Sequence, residues 1–213
     1  AKAQIEVEFD GECGMYYVTR GNHRIYTRKY FSQERVKEYY RSILMEQDEA
    51  SPHRYVTDSF NVRAGEVVID AGVAEGFFSM DIIDIASRIY LVECDDMWIE
   101  ALKQTFKKYS DKVTIVPCFL SDNNENGNIT IDQIAGGNAG FIKMDIEGAE
   151  VTALNGAKKN LLKKGLRMDI CTYHNEEDYE RICEMLDMHK LYYDTSRGYM
   201  CFYSKLSDGS IDF

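Results

Sequence analysis

Glu66-Val67-Val68-Ile69-Asp70-Ala71-Gly72-Val73-Ala74-Glu75-Gly76 is the stretch that decides the fold of this chain. Val67, Val68 and Ile69 form a β-branched run without alternation, as expected of a strand in the middle of a parallel sheet, covered on both faces. Gly72 and Gly76 then bracket a turn into a helix, where glycine permits φ > 0 and a close approach of the backbone to a ligand. The spacing Asp-x-Gly-x-x-x-Gly differs from the Gly-x-Gly-x-x-Gly of dinucleotide folds, which seats a pyrophosphate on a helix N-terminus. Charge separates the two further. Residues 64–87 contain no Lys or Arg, whereas Glu66, Asp70, Glu75, Asp81 and Asp84 are acidic, so a ligand with two phosphates meets net repulsion. A cationic or zwitterionic ligand does not, and S-adenosylmethionine, with its sulfonium and amino-acid moiety, suits the turn better than NAD. The plain alternative is the strand-turn-helix unit of any α/β protein.

Outward from this stretch, residues 1–60 are rich in tyrosine and carry turn signals at Asp10-Gly11 and Gly21-Asn22. Short antiparallel strands are expected over residues 5–9, 15–19 and 24–26, followed by a helix capped by Ser32 with Val36, Tyr39, Tyr40, Ile43 and Leu44 on its apolar face. This part, 1–60, is read as an N-terminal β/α extension serving as cap, lid or interface, and 61–213 as the main domain. From Glu66 on, strands and helices alternate, the pattern of a doubly wound sheet. The helix after Gly76 is expected to turn Phe78, Ile82, Ile85 and Ala86 to one side. Glu93 ends the next strand, about 20 residues beyond the turn, where an acid accepts hydrogen bonds from a ribose diol; Cys94 follows it. A third strand over 113–119 should deliver Ser121 and Asp122 to a ligand-facing loop, where Asp122 accepts the adenine amino group or merely caps a turn. The fourth strand, 141–144, runs into Asp145, and the fifth, 168–172, into Tyr173, His174 and Asn175. Residues 191–193 and 200–203 close the sheet as an antiparallel hairpin.

Composition sets the outer bounds. A chain of 213 residues with 45% hydrophobic residues is long enough for one well-buried domain with an appendage. A formal net charge of −11 argues against a nucleic-acid partner, and there is no apolar run suited to a bilayer. Six cysteines without Cys-x-x-Cys pairing point to a reducing compartment, hence a cytoplasmic location, and to no zinc. Ala1 in place of a starting Met suggests a processed chain or a piece of a longer one.

Together, Asp70-Ala71-Gly72-Val73-Ala74-Glu75-Gly76, Glu93, the block Lys143-Met144-Asp145-Ile146-Glu147-Gly148-Ala149-Glu150 with Gly156-Ala157, and Tyr173-His174 resemble the FkbM-type S-adenosylmethionine-dependent methyltransferases. The resemblance runs from about Val67 to the helix after the fifth strand, and the family turn usually has Asn where Ala74 stands. It implies a Rossmann-like class I methyltransferase fold, α/β, with a mostly parallel seven-stranded sheet and helices on both faces. It further implies O-methylation of a hydroxyl on a sugar or natural product. The cofactor is expected at Asp70, Gly72, Ala74, Gly76, Glu93, Cys94, Ser121, Asp122 and Asp145. An alcohol must lose a proton to accept a methyl group, so His174 is expected as general base, with Asp145 orienting it or holding the hydroxyl. Acidic residues at a helix start, such as Glu147 and Glu150, are accounted for by the helix dipole. Asp145, His174 and Asn175 could converge on a divalent metal, but their spacing does not demand one and none is expected. The expected partner is a hydroxylated small molecule, and a homo-oligomer is left open. Two rivals stand beside this reading: a nucleoside-binding module without catalysis, and a nicotinamide-dependent oxidoreductase.

Overall fold

Parallel strands made of short apolar runs form the centre of the protein. The computed structural model describes residues 5–196 and 200–204. Strands β1 (Val7–Asp10), β2 (Met15–Arg20) and β3 (His23–Tyr26) make a separate antiparallel sheet, followed by helix α1 (Gln33–Glu46). Ser32 caps α1 as expected, accepting from the Arg35 N–H, while Leu44 is exposed rather than on the packed face.

The main sheet begins with β4 (Val67–Ala71), and α2 (Phe77–Asp81), β5 (Arg88–Val92), α3 (Asp96–Thr105) and β6 (Val113–Val116) follow. The short pair β7 (Phe119–Leu120) and β8 (Asn128–Ile129) leads through α4 (Ile131–Ala135) to β9 (Phe141–Met144). After α5 (Glu150–Asn155), α6 (Lys158–Leu161), β10 (Arg167–Cys171) and α7 (Asp178–Met188), the hairpin β11 (Tyr192–Ser196) and β12 (Met200–Ser204) closes the chain of elements. The seven-stranded order is β11-β12-β10-β9-β4-β5-β6, with the five inner and right-hand strands parallel and β12 antiparallel to β10. The expected fold class is therefore observed.

Adjacent residues of β4 point to opposite cores, which explains the absence of alternation in the sequence. Val68 joins one cluster with Phe78, Leu102 and Phe141, and Ile69 another with Ile142, Leu154 and Ile170. Ile25, Val36, Tyr40 and Ile43 enter the first cluster, so the N-terminal extension shares a core with the main sheet. Burying each such side chain contributes on the order of 1.5–3 kcal/mol.

Two expected elements are shorter than read from the sequence. The helix after Gly76 ends at Asp81, and Ile85 is 39% exposed. Phe77, Phe78 and Met80 are all buried because α2 lies between the sheet and the N-terminal layer, so a one-sided pattern does not apply. The third strand stops at Val116, because Pro117 has no N–H to continue the ladder and the Cys118 N–H turns back to the Val116 carbonyl.

Candidate active site

The strand order reverses between β4 and β9, and a cavity of about 970 Å³ opens at their C-terminal ends, where open α/β sheets bind ligands. Both glycines of the turn have left-handed φ, +74° at Gly72 and +84° at Gly76. Their reason is packing as much as ligand access. A Cβ on Gly72 would stand 1.6 Å from the Asp145 carbonyl oxygen, and one on Gly76 would stand 2.7 Å from the Phe106 ring. The turn is thus wedged between the end of β9 and α3. Ala74 between them also has a positive φ, +49°, and its N–H donates to Glu93 Oε2 at 2.9 Å. Glu93 Oε1 accepts from the N–H groups of Cys94 and Asp95, so this buried carboxylate ties the two ligand-facing loops together.

Behind the turn, Asp70 is buried, accepts from the Ser79 hydroxyl at 2.7 Å and pairs with Lys143 Nζ at 3.3 Å. Burial raises the Asp70 carboxyl above its ordinary value, and Lys143 and Ser79 counter part of that. Lys143 donates to the Gly72 carbonyl at 2.6 Å. Burial alone would lower its ammonium, but Asp70 and Asp145 reverse this and hold it above the usual lysine range. Asp145 lines the cavity. Its Oδ2 accepts from the Tyr55 hydroxyl at 2.7 Å and its Oδ1 lies 3.2 Å from His174 Nε2. Burial pushes its carboxyl up, but hydrogen bonding from His174 and the charge of Lys143 outweigh this and keep it well below the carboxylate range.

Of the residues expected from sequence, Gly72, Ala74, Glu93, Cys94 and Asp145 line the cavity. Asp70 and Gly76 support the turn from behind. Ser121 and Asp122 are not in the cavity wall, and Asp122 is exposed. Because β6 ends early at Pro117, the ligand-facing loop arrives sooner, as Cys118, Phe119 and Leu120.

His174 also requires correction. It lies behind Asp145, facing a second, shallower concavity, with Nδ1 2.9 Å from Glu150 Oε1. Burial lowers its pKa, but Asp145 and Glu150 override this and push it up to about 10. At neutral pH such a ring is an imidazolium without a lone pair to accept a proton, which counts against the expected role of general base.

Sequence reasoning missed Tyr39, Tyr55, Glu75, Trp98 and Lys143, all lining the same cavity. Tyr39 and Tyr55 come from the N-terminal extension, whose tyrosine enrichment was the available signal. Tyr39 donates to Glu75 Oε2 at 2.7 Å, and its ring packs 5.4 Å from Trp98. The extension also brings Arg20 and Arg28 to the cavity, but Arg20 pairs with Asp81 and Arg28 with Asp95. Counting charged side chains in the wall gives four Lys or Arg against seven Asp or Glu. The acidity of the turn thus survives the additions from elsewhere, which favours a cationic ligand over a diphosphate.

Residues 119–200 match the family model of the methyltransferase FkbM domain. The match contains the Lys143-to-Glu150 block on which the resemblance rested, and the glycine turn is joined to it through β4 and β9. Methyltransferase FkbM from Methylobacillus flagellatus KT superposes with a TM-score of 0.59 at 20% identity, over 79% of this chain and 60% of that one. The chain therefore spans about 60% of the length of that FkbM protein. A precorrin-6y C5,15-methyltransferase from Geobacter metallireducens GS-15 gives 0.51 at 12% identity, covering 85% of this chain and 92% of its own. A putative transferase from Pyrococcus horikoshii gives 0.51 at 14%, covering 90% and 71%. At these identities the likeness is one of fold, and it is the class I, Rossmann-like methyltransferase fold. No curated protein matches the sequence. Among the described residues no helix is long and apolar enough to cross a membrane.

Proposed function

We propose that this FkbM-domain protein is an S-adenosylmethionine-dependent methyltransferase acting on a hydroxyl of a sugar or other small natural product. The observation that carries the reading is the predominantly acidic cavity at the strand-order reversal, with the glycine turn and Glu93 on its wall. S-adenosylmethionine supplies an activated methyl carbon when bound, so the chain has to orient the acceptor and accept one proton. In this reading Glu93 accepts from the ribose diol and Glu75 meets the cationic end of the cofactor; both line the cavity. Phe119 and Cys94 border the space left for the base.

On the acceptor side, Asp145 is the carboxylate that faces the cavity. A low pKa does not disqualify it. A hydroxyl oxygen that has begun to bond a methyl carbon is far more acidic than a carboxylic acid, so a weak base suffices if it is in hydrogen-bond reach. Tyr55, His174 and Lys143 fix its orientation and keep it ionised. The oxidoreductase rival is disfavoured by the same acidity.

Calorimetric titration with S-adenosylhomocysteine and with NAD tests the reading. Micromolar binding of the thioether and none of NAD is expected. The reverse preference would refute it, and binding without methyl transfer to any hydroxylated acceptor would favour the nucleoside-binding rival.

A further inference from the structure

Asp145, Glu150 and His174 each offer a ligand atom within 4.8 Å of the other two. They come from the end of β9, the first turn of α5 and the loop after β10, and among the described residues no other group of three His, Cys, Asp or Glu is brought together in this way. Two features separate the cluster from a set of acids at a helix start. Glu150 is 0% exposed, and while its Oε1 accepts from the Ile146 N–H at 2.9 Å, its Oε2 is buried with no hydrogen-bond partner. His174, 10% exposed, has Nδ1 without a hydrogen-bond partner as well, since its 2.9 Å contact with Glu150 lacks hydrogen-bond geometry. An unpartnered buried carboxylate oxygen costs roughly 1–3 kcal/mol or more. Helix-dipole stabilisation of Glu150, typically about 0.3–1 kcal/mol, gives that oxygen no hydrogen-bond partner.

A third carboxylate, that of the exposed Glu147, lies 3.8 Å from His174 Nε2.

We infer that Asp145, Glu150 and His174 form a binding site for a divalent first-row transition cation, with the exposed Glu147 able to swing in as a further ligand. One imidazole nitrogen with carboxylate oxygens suits Mn²⁺, Fe²⁺, Co²⁺ or Zn²⁺; Mg²⁺ and Ca²⁺ prefer all-oxygen sets, and there is no thiolate in the cluster. The cation's presence against Asp145 would set a positive charge at the acceptor side of the cavity; that use of the site rests on the methyltransferase reading, whereas the binding itself does not.

The test uses the full chain after chelator treatment, titrated with Co²⁺ in the visible range and with Zn²⁺ by calorimetry. One equivalent should bind, with d–d absorption that Zn²⁺ abolishes. Glu150→Gln, which keeps an acceptor for the Ile146 N–H, and His174→Gln should each weaken binding at least about 100-fold. A cooperative thermal unfolding transition on the same samples shows that the variants are folded, and S-adenosylhomocysteine binding by the wild type is measured beside it. If one variant does not fold, the other decides. Absence of Co²⁺ and Zn²⁺ binding by the wild type, or equal binding by a folded variant, overturns the site. Loss of S-adenosylhomocysteine binding by the wild type would instead count against the methyltransferase reading alone.

Discussion

Replacing Glu75 by Gln separates the needs of the fold from those of the ligand. Glu75 is 7% exposed, lines the cavity and has the Tyr39 hydroxyl 2.7 Å from Oε2. Burial raises its carboxyl above the ordinary value, with the Tyr39 hydrogen bond opposing this in part. A carboxyl raised in the folded state adds most to stability below its unfolded pKa and loses that contribution as pH rises through the folded value. Above that value the protein bears a buried charge, held by the Tyr39 hydroxyl and by the backbone N–H groups of Glu75 and Phe77. Gln keeps an acceptor for Tyr39 and removes the charge, so Glu75→Gln should be as stable as the wild type or about 1 kcal/mol more stable in urea unfolding. That advantage should shrink on acidification to pH 5. Binding should move the other way. Loss of a charged partner for the cofactor's ammonium costs roughly 1.5–3 kcal/mol, which is roughly 10- to 100-fold in the dissociation constant of both S-adenosylmethionine and S-adenosylhomocysteine. Calorimetry on both ligands checks this. Unchanged affinity in the variant would refute the placement of Glu75 at the cationic end of the cofactor.

Gly72→Ala should cost about 3 kcal/mol or more in stability, or prevent folding, since the new Cβ meets backbone that has nowhere to move; thermal unfolding reads it. Lys143→Met leaves Asp70 buried with only Ser79 and should destabilise by about 3–5 kcal/mol, with a substantial part recovered by adding Asp70→Asn; a double-mutant cycle in urea measures both. Tyr55→Phe preserves the ring beside Lys143 but removes the hydrogen bond to Asp145. It should leave S-adenosylhomocysteine affinity unchanged while slowing methyl transfer, read as a fall in kcat once an acceptor is found.

Much of the site was legible because it belongs to contiguous sequence. Gly72 and Gly76 announced a left-handed turn, and Glu93 and Asp145 announced themselves as acids at strand ends. The misplacement of Ser121 and Asp122 came from extending a strand through Pro117, whose missing N–H ends the ladder. His174 was placed at the correct edge, but its partners Asp145 and Glu150 lie 29 and 24 residues away, by subtraction of the residue numbers. Nothing local could show that both ring nitrogens face carboxylates. Tyr39 and Tyr55 were hidden for the same reason, since enrichment in tyrosine does not say which hydroxyl reaches which carboxylate.

The sequence alone determined the parallel sheet, the turn and its acidity, because strand propensity, glycine conformation and local charge are properties of neighbours along the chain. Tertiary structure alone decided which carboxylates are paired, which are desolvated and which face the cavity. Those depend on distances of 3–4 Å between segments that the chain brings together only by packing both sides of the sheet, and at that range burial and pairing, not residue type, set the chemistry.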